Sequence, residues 1–308
     1  MKAYLDTRFF SEQEVISLEN EYPSITFLKT LEQSYDAEIA IVTPSFINQV
    51  HLDKFKSLKW VQLLTAGYDN ADMALAKKRD LIVTNALDVF SIQIAEDVIS
   101  KILLVNRQIK GQIKHMSKGI WQHIPVTHEL FGATVGIIGT GSIGKEVAKR
   151  LKAFETHVIG YRKTQAPVHY FDEIYTGNKG LTEVIKKSDY LVIAIPLQED
   201  TTHLLNKDNM KLLKHDVVII NVARGEIIDQ DALIALLRAG KLRGVGLDVT
   251  SPEPLPSDHP LWTFDQVFIT PHNASASPYM SQRLLKVVSD NVNRYINQNS
   301  LQFVVKND

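Results

Sequence analysis

Three stretches toward the C-terminus carry reactive side chains just past apolar runs. INVARGEIID (220–229) sets Arg224 beyond a strand candidate, LDVTSPEPLP (247–256) sets Glu253 in a proline-rich loop, and ITPHNAS (269–275) sets His272 after a third run. Arginine, carboxylate and histidine are the groups that reduction of a 2-oxoacid needs. A guanidinium fork can hold a carboxylate and polarise a ketone oxygen. A protonated imidazole can give its proton to that oxygen as hydride arrives at carbon. A carboxylate beside the imidazole favours its charged form. Each residue alone has a plainer reading: Arg224 as a salt-bridge or helix-entry residue, Glu253 as solvated, His272 as structural or exposed. Their joint appearance points to chemistry.

A second pattern supplies a place for a hydride carrier. TVGIIGTGSIGKEVAKRL (134–151) runs from an apolar strand through Gly139, Gly141 and Gly144 into an amphipathic helix. In this spacing Gly139 permits the tight turn, Gly141 lets backbone approach a pyrophosphate, and Gly144 lets helix pack close to strand. The helix N-terminus would then face the phosphates with unpaired N–H groups and a positive dipole end. The glycine spacing alone is weak; strand before and helix after are its confirming context. About twenty residues on, where an NAD site carries an acid for the ribose hydroxyl, the strand VIGY ends in Arg162 and Lys163. An acid there would repel a ribose 2′-phosphate and a guanidinium would hold it, so the pair suggests NADP(H). The plainer reading is a solvated strand-end pair.

These groups need a scaffold that brings strand ends together. Strand candidates in the first third are AYLD, AEIAIV, KWVQLL and LIVT; from 133 onward they are ATVGIIG, THVIGY, DYLVIAI, DVVIIN, RGVGLDV and QVFIT. Near-continuous apolar runs separated by helices indicate parallel sheets covered on both faces, an α/β architecture. Ligands in such sheets bind outside the carboxyl ends of strands. Between the two sets, Ile94, Ala95, Val98, Ile99, Ile102 and Leu103 share one helical face, predicting a helix over 92–109 as a domain connector. Met280, Leu284, Leu285, Val288, Val292 and Ile296 predict a tail helix that can return to the first domain. Pro252, Pro254, Pro256, Pro260, Pro271 and Pro278 mark the region before it as loop-rich.

Composition narrows the class. A chain of 308 residues, 44% hydrophobic and 22% charged, can bury one large core or two ordinary ones. A net charge of −1 gives no general attraction to nucleic acid or anionic membrane, so neither is an expected partner. Without cysteine there is no disulfide, thiolate ligand or thiol nucleophile. No signal-peptide core opens the chain and no apolar run is long enough to span a membrane, so a soluble cytoplasmic protein is expected. His123 and His128 have no accompanying acidic ligands or H-E-x-x-H motif, so no metal is expected. No G-x-S-x-G elbow suggests a serine hydrolase; Ser142 belongs to the phosphate turn.

The ordered motifs ELFGATVGIIGTGSIGKEVAKRL, PLQEDTTHLLN, NVARGEIIDQDAL, GVGLDVTSPEPLP and ITPHNAS resemble the NAD(P)-dependent D-2-hydroxyacid dehydrogenases over nearly the whole chain. The resemblance implies Arg224, Glu253 and His272 as the catalytic set. It implies a cofactor loop of Gly139, Thr140, Gly141, Ser142, Ile143 and Gly144, with Pro196, Thr201, Ala223 and Asp248 as further cofactor contacts. Asp248 would meet the nicotinamide carboxamide. In TAGYD, backbone N–H groups near Ala66 and Gly67 would bind the substrate carboxylate together with Arg224 and His272. The implied fold is two α/β domains, a Rossmann-type doubly wound sheet inserted into a smaller flavodoxin-like one. The substrate-binding domain would cover 1–97, completed by 276–308, and the dinucleotide-binding domain 98–275. Members commonly dimerise, so a homodimer through about 93–130 is expected.

Where NAD-using members resemble VxGYDP, this chain has Arg162 and Lys163, as in the glyoxylate/hydroxypyruvate reductases that prefer NADPH. NADP(H) is therefore the expected cofactor, with NAD(H) possible, and a small 2-oxoacid such as hydroxypyruvate or glyoxylate the expected substrate. The alternatives are an NAD enzyme similar to D-3-phosphoglycerate or D-lactate dehydrogenases, or a nucleotide-sensing corepressor-like binding protein. Formate dehydrogenases fit less well, since they resemble a Gln-His pair where this chain has Glu253.

Overall fold

The structure, a computed structural model, describes residues 1–305. It divides into two compact units, Met1–Phe90 with the segment from Ser277, and Ser91–Ala276. The first division thus falls ahead of the helix Ser91–Asn106, whereas a boundary at 97/98 would cut through it. Residues 306–308, the last of the segment expected to complete the first domain, lie outside the described residues.

The first unit is built on five parallel strands, β1 (Lys2–Leu5), β2 (Thr26–Leu28), β3 (Ile39–Val42), β4 (Trp60–Leu63) and β5 (Ile82–Thr84). Their order, β2-β1-β3-β4-β5, is the flavodoxin-like one. The tail helix Met280–Ile296 belongs to this unit and buries Leu284, Val288 and Val292. A fully paired polar network fastens it. Asn291 donates to Gln62 and to the Gln302 carbonyl, Thr84 donates to Gln62, and the Trp60 indole donates to Thr84. Buried polar groups are tolerated because every member has a partner.

The second unit is built on seven parallel strands, β6 (Thr134–Ile138), β7 (His157–Tyr161), β8 (Glu173–Tyr175), β9 (Tyr190–Ile193), β10 (Val217–Asn221), β11 (Leu242–Leu247) and β12 (Val267–Ile269). The order β12-β11-β10-β9-β6-β7-β8 is the doubly wound Rossmann arrangement with one added edge strand, and it reverses direction between β6 and β9. The strands end level. Tyr161, Ile138, Ile193, Asn221, Leu247 and Ile269 lie opposite one another across β7, β6, β9, β10, β11 and β12. Six loops therefore leave one edge of the sheet side by side.

The predicted helix over 92–109 ends at Asn106, and the chain turns at Gln108, whose φ of 48° is left-handed, into a second helix, Ile109–Met116. Ile94, Ala95, Val98 and Ile102 are buried as expected. So is Lys101, at 1% exposure and ion-paired with Asp97 four residues before it. Gly246 makes room for it: a Cβ there would stand 2.9 Å from Lys101 Cβ and Cδ. Burial pushes the Asp97 carboxyl up, against the pull of Lys101 and with a further push from Asp248. Among the described residues no helix is long and apolar enough to cross a membrane, and no cluster of three or more His, Asp or Glu is placed to hold a metal ion.

Candidate active site

The glycine turn follows β6. Gly139 has φ 104°, which L side chains rarely adopt, and a Cβ there would lie 2.3 Å from the Ala194 carbonyl beyond β9. A Cβ on Gly144 would lie 2.1 Å from the Gly139 carbonyl, so helix and strand approach as closely as the spacing predicts. Gly141 is different, since a Cβ there meets nothing within 4 Å. It opens the helix Ser142–Lys152 without a side-chain cap, so the first-turn N–H groups receive no side-chain acceptor from it. Uncapped N–H groups and a glycine beside open space fit a dinucleotide phosphate. Ser142 and Ile143 are half-buried, whereas Thr140 is buried with its methyl against Gly160 of β7.

Arg162 and Lys163 follow β7 and behave unlike each other. The Lys163 ammonium bonds Gln198 at 3.0 Å and Asp200 at 2.8 Å, in the loop after β9. Among the described residues the Arg162 guanidinium has no side-chain partner, which leaves its donors open to a ligand. In the same loop Thr201 is buried. Its hydroxyl bonds the Pro196 carbonyl and accepts the Gln198 N–H, so it holds the turn from beneath; Pro196 itself is exposed.

The catalytic candidates come from the loops after β10, β11 and β12. Asn221, the last residue of β10, donates to the Arg224 carbonyl and accepts the Ala223 N–H, turning the chain so that Arg224 leaves the sheet. Ala223 is buried; its carbonyl receives a bond from the half-buried Arg224 guanidinium at 2.7 Å. Gly225 then packs backbone to backbone on the neighbouring loop, where its Cβ would stand 2.1 Å from Thr250 C.

Glu253 and His272 meet directly, Nδ1 to Oε2 at 2.9 Å. The other oxygen of Glu253 accepts the Thr250 N–H at 3.1 Å. His272 has φ 50°, a strained value for a side-chain-bearing residue, and Asp248 holds it there. Asp248 is 3% exposed; its carboxylate accepts the Thr270 hydroxyl and the N–H groups of Asn273 and Ala274, and its carbonyl accepts the His272 N–H. Expected as a nicotinamide contact, Asp248 thus also ties the turn after β12 to the end of β11.

In the first unit, the Ala66 and Gly67 carbonyls are taken by Asn85 and Thr65. Among the described residues their N–H groups have no partner. Asn221, Gly225, Thr270 and Gln230 were not singled out from sequence; only the Asn at a strand end before VARG carried a readable turn signal.

The model of the D-isomer specific 2-hydroxyacid dehydrogenase NAD binding domain matches residues 99–274. The chain is 32% identical to the glyoxylate reductase of Pyrococcus horikoshii, over 91% of its own length and 85% of that protein's. It is similar to the structure of an acyclic imino acid reductase in complex with NADPH and D-Arg, with a TM-score of 0.86 at 28% identity, over 99% of this chain and 100% of that one. A D-isomer specific 2-hydroxyacid dehydrogenase from Xanthobacter autotrophicus Py2, in complex with NADPH, gives 0.83 at 25% identity over 99% and 98%. With the family model covering more than half of it and a relative this similar along most of its length, the chain belongs to the D-isomer specific 2-hydroxyacid dehydrogenases, oxidoreductases that act on the CH–OH group.

Proposed function

We propose that the protein reduces a small 2-oxoacid, glyoxylate or hydroxypyruvate, to the D-2-hydroxyacid, with NADPH preferred over NADH. The observation that carries this reading is the Glu253–His272 pair at 2.9 Å, standing on the same level edge of the sheet as the glycine turn. A bound nicotinamide supplies the hydride. An ionised Glu253 can only accept, so His272 donates Nδ1–H to it and keeps Nε2 for the ketone oxygen. The carboxylate stabilises the imidazolium and holds the ring's orientation while Nε2 gives up its proton. The Arg224 guanidinium fork is suited to the substrate carboxylate and the ketone oxygen. In the first unit the N–H groups of Ala66 and Gly67, without a partner among the described residues, are suited to a carboxylate oxygen.

The NADPH preference rests on Arg162, whose guanidinium has no competing partner among the described residues. NADPH in two similar structures agrees with it. A homodimer and a cytoplasmic setting belong to the same reading. Ile113, Met116, Ile120 and Trp121 are exposed on and just after the helix Ile109–Met116, an apolar stretch suited to a second copy.

The test compares kcat/KM for NADPH and NADH with saturating hydroxypyruvate. A strong NADPH preference is expected. A preference for NADH would return Arg162 and Lys163 to solvated surface. Failure with both cofactors across a panel of 2-oxoacids would replace the enzyme by a nucleotide-binding protein.

A further inference from the structure

The loop that carries Glu253 is gripped by a side chain that has no part in the proposed chemistry. Gln230, at the start of the helix Gln230–Arg238, donates from Nε2 to the Ser251 carbonyl at 2.8 Å. Its Oε1 accepts the Ser251 N–H at 3.3 Å. One amide side chain thus satisfies both backbone groups of one residue, as a neighbouring strand would. From Ser251 the connection continues through known bonds. The Thr250 N–H donates to Glu253 Oε1, the Thr250 hydroxyl donates to the Pro252 carbonyl at 2.9 Å, and Glu253 Oε2 receives His272. On its other side the Thr250–Ser251 peptide is pressed by Gly225, the neighbour of Arg224.

We infer that Gln230 is a positioning residue for the Glu253–His272 pair, fixing the loop so that the carboxylate meets the imidazole. The inference rests on the acid pair proposed above. The charged and titratable groups around the assembly include Glu253 and Asp248 beside His272, Asp97, which repels Asp248, Arg224 in the adjoining turn, and His259, whose Nε2 lies 3.3 Å from Gln230 Nε2. Exchanging Gln230 for leucine leaves the Ser251 N–H and carbonyl without their partner, and the loop loosens. The carboxylate then no longer fixes the ring in one orientation, so Nε2 stands less often in the geometry that proton transfer to the ketone oxygen needs.

The experiment measures kcat and KM for hydroxypyruvate reduction, and the His272 imidazole NMR signals in ligand-free protein at neutral pH, for wild type, Gln230→Leu and Gln230→Asn. Gln230→Asn keeps the amide but draws it back by one methylene; it carries the test alone if Gln230→Leu does not fold. kcat is expected to fall about 3- to 10-fold with KM little changed, and the imidazole signals to shift and broaden. Wild-type kcat and wild-type imidazole signals in a folded variant overturn the inference. Imidazole signals that change while kcat stays at the wild-type value support the positioning and instead remove His272 as the acid.

Discussion

The turn after β12 and the turn after β7 leave the same sheet at the same level, and they are built in opposite ways. The first carries His272 in a left-handed conformation, fixed by a buried aspartate that binds three donors, with the neighbouring Glu253 loop gripped by Gln230 and pressed by Gly225. The second carries Arg162 and Lys163; the Arg162 N–H bonds the Tyr175 carbonyl, and the side-chain ties to the neighbouring loop are the Lys163 bond to Gln198 and an ion pair with Asp200 whose partners are 57% and 61% exposed. Exposed pairs of this kind are worth about 0–1 kcal/mol. Proton transfer requires donor and acceptor to be placed within fractions of an ångström, and the deep anchoring serves that. Choosing between a ribose hydroxyl and a ribose phosphate requires only a charge of the right sign within reach. Mechanism is therefore expected to be brittle at one turn and cofactor choice to be easily changed at the other.

The largest effect should come from His272→Ala. Loss of a positioned general acid costs about 10²–10⁴-fold in rate, so kcat for hydroxypyruvate should fall by that order. Near-normal turnover would remove the proposed acid and, with it, the reason for the anchoring. Gly225→Ala comes next. Its Cβ would stand 2.1 Å from Thr250 C, which is backbone and cannot swing aside. We expect a loss of roughly 1–3 kcal/mol of stability, seen as a lower Tm, together with reduced kcat because the displaced segment leads to Glu253. A Tm and kcat equal to wild type would mean the loop is softer than its contacts indicate.

Arg162→Asp tests the other turn. A hydrogen bond to a charged group is worth about 1.5–3 kcal/mol, and each 1.4 kcal/mol is about tenfold. The NADPH/NADH ratio of kcat/KM should therefore fall by about ten- to a hundredfold and reverse, while kcat with the preferred cofactor and Tm change little. An unchanged ratio would show that Arg162 does not reach the phosphate. A large loss of Tm would show that the turn is anchored after all.

Much of this contrast was legible in the sequence. Ten of the strands announced themselves as apolar runs, most of them because both of their faces are covered. The two that did not, β2 and β8, are three-residue edge strands like β5 and β12, but each opens on an exposed polar residue, Thr26 or Glu173, which leaves only two apolar positions to read. The reactive residues were visible because each follows a run that stops, and the stops prove to be level. What spacing could not give is how the loops are held. Gln230 reaches Ser251 and Gly225 presses Thr250 only because β10 and β11 lie side by side, a fact of topology. Thr201 and Asp248 were expected as cofactor contacts; their hydrogen bonds show each holding a turn, which a motif does not reveal.

The smallest effect concerns what lies beneath the softer turn. Asp172 accepts the Val158 N–H of β7 at 2.7 Å and pairs with Lys152 at 2.9 Å, so it pins the strand that ends at Arg162. Partial burial pushes its carboxyl up, but Lys152, the Val158 N–H and nearby His157 outweigh this and hold it below its ordinary 3.8. A carboxyl displaced downward in the folded state adds stability above its unfolded value and loses it as pH falls through the folded one. Asp172→Asn should therefore cost up to about 1 kcal/mol at neutral pH, since both partners are about one-third exposed. That difference should shrink below pH 3.8 as the wild-type carboxylate takes up its proton. The NADPH/NADH ratio should stay put, because the pin acts on the strand and the choice is made by the side chain past its end. A ratio that moved with Asp172→Asn would mean that cofactor choice depends on strand placement, and the two turns would differ less than their surroundings suggest.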